Sequence, residues 1–152
     1  MPDLEHNGNR QQGKQPHGRR KGRRQALQAL YEIDAVGRDP AAVVARLTGE
    51  SGLSEENAAF AAGLVAGVSD KRAELDEQIK TYAPAWPVDQ IAVIDRNVLR
   101  LAIFEILFDN KVPVNVAVSE AVELARSFGS DTSGKFVNGV LGSVSAHAGR
   151  ED

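Results

Sequence analysis

The sequence predicts an all-α protein of six or seven helices, and three observations carry that expectation. Apolar residues recur at helical spacing through most of the chain after residue 18. No stretch sustains the two-residue alternation of a strand. Proline, glycine and capping Ser or Asp fall between the periodic stretches, where helices start and stop.

In chain order, residues 1–18 are rich in Gln, Gly, Asn and Pro, with only Met1 and Leu4 apolar, which predicts a disordered polar and basic tail. From Arg19 a first helix is expected, its stripe formed by Ala26, Leu27, Ala29, Leu30, Tyr31 and Ile33 and its end at Gly37. Asp39-Pro40 is a cap followed by a first-turn proline, opening a short second helix over Ala41–Leu47 that Gly49 closes. Ser54 caps a third helix, whose pattern runs through Phe60, Leu64, Val68, Leu75 and Ile79 to Tyr82. Gly63 and Gly67 weaken it locally, and their spacing allows another helix to approach closely. Pro84 and Pro87 bracket a break around Trp86. A fourth helix over Val88–Asp109 is apolar nearly all round, so it belongs at the centre of the molecule. Pro113 starts a fifth, with Val114, Val118, Ala121, Leu124, Ala125 and Phe128 on its stripe and Gly129 after it. Asp131-Thr132-Ser133 caps a last helix carrying Phe136, Val137, Val140, Leu141 and Val144. One folded domain is therefore expected over residues 19–148.

The composition suits that domain: 152 residues, 42% apolar and 26% charged, are enough for a core without staples. The absence of cysteine excludes disulfides, thiolate metal sites and a cysteine nucleophile, and suits a reducing cytoplasm. No apolar run approaches a membrane span, and the basic N-terminus lacks the apolar stretch of a signal peptide.

The net charge of −3 conceals an asymmetry. Residues 1–24 carry seven basic and two acidic side chains, while the remaining 128 carry eleven basic and nineteen acidic. A basic end on an acidic body points to a polyanion met at one edge, with a solvated tail as the alternative.

Catalysis is not expected, and neither a cofactor nor a metal is implied. His6 and His17 lie in the tail and His147 near the end of the chain, so none is placed as a buried base. There is no strand to carry a phosphate loop or a nucleophile elbow. Asp95 and Glu105 share the fourth helix with Arg96 and Arg100, which reads as paired charge at a helix–helix seam.

Nucleic-acid binding has better candidates. Arg19-Arg20-Lys21-Gly22-Arg23-Arg24 leads straight into the first helix, and helical spacing places Arg20, Arg23 and Arg24 on adjacent turns. Arginine forks match phosphate and stack on bases, and arginine-rich segments commonly order on RNA. The second candidate is the start of the last helix. Its first-turn N–H groups suit a phosphate, Lys135 adds a charge, and Phe136 is either a stacking face or simply core.

The string Ile94-Asp95-Arg96-Asn97-Val98-Leu99-Arg100-Leu101-Ala102-Ile103-Phe104-Glu105 resembles the central-helix signature of the NusB family. Val112-Pro113-Val114-Asn115-Val116-Ala117-Val118 with Glu120-Ala121 resembles the next helix of that family, and Lys135-Phe136-Val137-Asn138-Gly139-Val140-Leu141 its closing signature. The basic start followed by Ala26-Leu27-Gln28-Ala29-Leu30-Tyr31 is similar to its first helix.

The resemblance implies two small helical bundles packed across each other. It also implies a transcription antitermination factor, not an enzyme, that joins NusE, a small-subunit ribosomal protein. The pair binds single-stranded boxA RNA of ribosomal RNA leaders and nucleates, with other Nus factors, an RNA polymerase complex that resists termination. Carried over, Arg19, Arg20, Lys21, Arg23, Arg24, Thr132, Lys135 and Phe136 become RNA contacts, and Tyr31, Asp89 and Asp95 meet NusE. Many relatives have an acid where this chain has Thr132, which leaves the contact there to a hydroxyl or to a shifted Asp131. Relatives occur as monomers and as dimers, so a homodimer stays open. A NusB-like domain also opens ribosomal RNA cytosine methyltransferases, but those need a cofactor domain and a cysteine nucleophile. A ribosome-maturation role and a DNA-binding regulator are the remaining rivals, the latter lacking an evident recognition helix.

Overall fold

The computed structural model describes residues 18–50, 52–109 and 111–149, apart from the Glu50 side chain. The expected disordered tail lies outside the described residues except for Gly18, which is helical. Among the described residues the secondary structure is helical throughout, as the fold class predicted. The first helix, α1, occupies 18–31 and runs into a π-helical turn, Glu32–Val36. It stops at Gly37, whose φ of 81° is left-handed and open to glycine at little cost. Six further helices follow: α2 (Pro40–Glu50), α3 (Glu55–Asp70), α4 (Arg72–Tyr82), α5 (Val93–Phe104), α6 (Val114–Phe128) and α7 (Ser133–His147).

Local chemistry explains most of the boundaries. Asp39 Oδ2 accepts from the Ala42 N–H at 3.1 Å, and Ser54 Oγ accepts from the Asn57 N–H at 3.2 Å, so both expected caps form. Pro113 precedes α6 in an extended conformation (φ −57°, ψ 144°) and cannot be drawn into a longer helix.

Three expectations need correction. The long third helix is two helices, divided at Lys71, whose ψ of 13° leaves the helical range. Gly67, Ser69 and Asp70 are all poor helix formers and precede the break. The fourth helix is shorter than the Val88–Asp109 stretch: Val88–Gln90 is a 3₁₀ turn, Ile91 is extended, and Glu105–Asp109 is π-helical. At α7 the cap position, Thr132, makes no capping bond. Ser133 Oγ instead accepts from the Ser130 N–H at 2.8 Å and tightens the preceding turn.

The architecture is two small bundles sharing a centre. In the first, α2 packs on α3; in the second, α4, α6 and α7 surround α5, which also crosses α3. Burial follows: Val98, Leu99, Leu101 and Ile103 of α5 meet Leu75 and Ile79 of α4 and Leu141 of α7 in one core. The crossing of α3 and α5 depends on Gly67, because a Cβ there would overlap the Phe104 ring. Gly63 has no such neighbour, so of the two glycines only Gly67 allows a close approach.

Candidate nucleic-acid interface

The first turns of α1 lie against α3 and α6, and this packing divides the arginine-rich segment into two roles. Arg23 faces inward. It is 3% exposed and holds Glu105 through two bonds of 2.8 Å, Nε to Oε1 and Nη2 to Oε2. The bidentate geometry satisfies both ions where water cannot. Of Arg20, Arg23 and Arg24, which helical spacing places on adjacent turns, Arg23 alone is buried, and its fork is occupied by Glu105.

The remaining cations face outward. Lys21 and Arg24 are exposed and make no ion pair among the described residues. Arg19 lies with Cζ 4.3 Å from the centroid of the Phe60 ring, a cation–π contact that aligns the guanidinium at the rim. Arg20 Nε donates to Glu120 Oε1 at 3.1 Å, while half of its side chain remains in solvent. That hydrogen bond, with the charge behind it, raises the Arg20 pKa above its ordinary value. Arg20, Arg23 and Arg24 line a cleft whose opposite wall is Glu120, Glu123, Leu124 and Ser127 of α6.

The second predicted segment begins just after the end of α6. Thr132 is exposed, with its hydroxyl 3.3 Å from Ser130 Oγ. Lys135 is exposed, and Phe136 is half-buried and packed on the core. Phe136 therefore combines the two readings that periodicity left open, anchored on one side and accessible on the other. Helix α6 touches both segments, through Arg20–Glu120 at α1 and through Arg126 against Gly134 at α7.

The residues expected at a protein partner divide as well. Tyr31 is exposed at the end of α1 and Asp89 is exposed in the 3₁₀ turn. Arg96 connects their neighbourhoods: its guanidinium bonds Asp34 at 2.7 and 2.8 Å and the Asp89 carbonyl at 3.0 Å. Asp95 does not take part in the paired charge that its helix neighbours suggested. It is 8% exposed, and its Oδ1 has no hydrogen-bond partner among the described residues. The seam of paired charge runs through its neighbours, because Arg96, Asn97 and Arg100 all bond Asp34. Arg96 above all, followed by Asn97 and Arg100, holds the Asp34 carboxyl well below the usual carboxylate range, although burial pushes it up.

Sequence reasoning missed Glu120 and Phe60 as supports of the basic rim. A signal for Glu120 was present, since it sits among Ala117, Ala121 and Leu124 on the buried face of α6. Among the described residues no cluster of His, Asp or Glu could hold a metal, and no helix is long and apolar enough to cross a membrane.

Fold and rim together define a two-bundle helical factor with a cationic edge joined to an acidic body. The comparisons give that class a family. The NusB family model matches residues 20–146. The chain is 54% identical over 127 residues to the transcription antitermination protein NusB of Dehalococcoides mccartyi, covering 84% of this chain and 89% of that protein. It is 49% identical over 122 residues to the NusB of Herpetosiphon aurantiacus, covering 78% and 84% respectively. Among solved structures, T. maritima NusB matches with a TM-score of 0.79 at 30% identity, covering 87% of this chain and 93% of that one. A complex of the antitermination factors NusB and NusE with double-stranded RNA matches at 0.77 and 25% identity, covering 86% and 97%. The chain belongs to the NusB family of transcription antitermination proteins.

Proposed function

We propose that this chain, together with NusE, binds the single-stranded boxA element of ribosomal RNA leader transcripts in the cytoplasm. The pair then nucleates, with other Nus factors, an RNA polymerase complex that resists termination. The observation that carries the reading is the rim at the start of α1, where Arg19, Arg20, Lys21 and Arg24 reach solvent beside the cleft against α6. The solved relative that holds NusE together with double-stranded RNA supports the part of the reading that joins RNA binding to NusE.

The work divides by chemistry. Arg19, Arg20, Lys21 and Arg24 attract the RNA backbone, which makes affinity depend on salt. Phe136 offers its open face to an unstacked base, with Lys135 and the Thr132 hydroxyl beside it in the chain, as single-stranded recognition requires. Arg23 supports the rim from within. Tyr31 and Asp89 form the NusE side, and Asp95, whose Oδ1 has no hydrogen-bond partner among the described residues, is assigned to it with them. Two modest surfaces sharing one RNA raise each other's apparent affinity. The folded domain, 19–148, carries this function without catalysis.

The test is titration of a boxA-like strand, a scrambled strand and a duplex, each with and without NusE. The expected result is preference for the boxA strand, enlarged by NusE. Phe136→Ala should weaken boxA binding about 5- to 100-fold with little change in salt slope. Equal binding of all three RNAs, or no effect of Phe136→Ala, would remove the reading.

A further inference from the structure

Arg20 is the outermost member of a chain of four charges, Glu105–Arg23–Glu120–Arg20, that runs from the core to the rim. Glu120 is only 8% exposed, whereas about half of the Arg20 side chain lies in solvent, so Arg20 is the partner with room to turn away. A carboxylate 3.1 Å from the Nε of Arg20 competes directly with any phosphate for that guanidinium. Its position also keeps the exchange reversible. Arg23 Nη1 lies 3.8 Å from the same Glu120 oxygen, so Glu120 keeps a counter-charge when Arg20 leaves. Lys21 and Arg24 have no such competitor among the described residues and supply the indiscriminate part of the attraction.

We propose that Glu120 is a selectivity residue: it withholds Arg20 from passing polyanions and yields it only to a strand already seated by its bases. The inference rests on the RNA-binding reading above. Glu120 acts through Arg20 and is therefore a positioning residue, not a contact. In the free protein Arg20 stays on Glu120, and a generic strand gains too little to displace it. A strand also held at Phe136 keeps its phosphates beside the rim long enough for Arg20 to change partner.

The experiment is a salt titration of the full chain binding oligo(U) and a boxA-like strand, read by fluorescence anisotropy. Glu120→Gln should bind oligo(U) about two- to five-fold more tightly, the range of a part-exposed ion pair. The slope of log affinity against log salt should steepen by roughly 0.7, one added phosphate contact on a single strand. The gain on the boxA strand should be smaller, so discrimination narrows. Glu123 bonds Arg126 at 3.5 Å and makes no hydrogen bond to Arg20, so Glu123→Gln removes the same charge from the same cleft while leaving the Arg20–Glu120 bond in place, and should raise oligo(U) affinity and slope by less than Glu120→Gln. Arg20→Ala combined with Glu120→Gln should erase the gain. If Glu120→Gln does not fold, Glu120→Asp withdraws the carboxylate by one methylene at constant charge and should shift oligo(U) binding the same way, by less.

Unchanged oligo(U) affinity and slope would overturn the proposal, as would a gain that survives loss of Arg20 or is matched by Glu123→Gln. If the wild type prefers boxA while the Glu120 variants behave like it, only the selectivity role fails. If the wild type shows no boxA preference, the RNA-factor reading fails and takes this inference with it.

Discussion

Arg20 and Arg23 stand three residues apart on one helix and serve opposite ends. Truncating Arg23 strands the Glu105 carboxylate, which is 1% exposed, so Arg23→Ala should cost about 3–5 kcal/mol in denaturant unfolding. Arg20→Ala should cost less than about 1 kcal/mol, since its side chain is half in water, yet weaken boxA binding and flatten its salt dependence. Equal destabilisation by the two would contradict the division. The inward turn of Arg23 was legible in principle. Ala26, Leu27 and Leu30 lie three, four and seven residues later and form the buried stripe to which Arg23 belongs. Basic character alone obscured it, because a run of arginines reads as solvent-facing until one of them is matched to a buried acid elsewhere. Glu105 supplies that match 82 residues away, a separation at which spacing carries no information.

At the level of elements, periodicity located the helices and mistook some of their joints. Helix α6 appears over the expected residues because proline and glycine bracket a strong stripe. The break at Lys71 was masked, since the apolar pattern of α3 continues in phase into α4 and outweighs the poor helix formers Gly67, Ser69 and Asp70 just before it. Gly63 and Gly67 look equivalent in sequence but differ in surroundings. Gly67→Ala should destabilise the protein by about 1–3 kcal/mol, because the new methyl must displace the Phe104 ring where α3 crosses α5. Gly63→Ala meets open space and should stabilise α3 by up to about 1 kcal/mol through helix propensity. Thermal melts of the two variants should move in opposite directions.

Across the whole molecule, Asp34 joins the end of α1 to α5 through Arg96, Asn97 and Arg100, and Arg100 continues the chain of bonds to Asp76 of α4. Its carboxyl titrates lower in the folded chain than in the unfolded one, where the ordinary value is about 4. The stability it contributes is therefore complete above that value and lost as pH falls below it toward the folded pKa. Asp34→Asn should lower the unfolding midpoint at pH 7, and the gap to wild type should shrink on acidification. A gap independent of pH would show that the charge is not what matters. Asp34 at one end of α1 and Arg23 near the other also fix that helix against sliding or turning. Arg20 and Tyr31 lie eleven residues apart along it, roughly 16 Å at helical rise. On the function proposed above, helix α1 works as a ruler of set length between the edge that would meet RNA and the edge that would meet NusE. A ribonucleoprotein surface whose own spacing departs from that length can grip one end or the other, but not both.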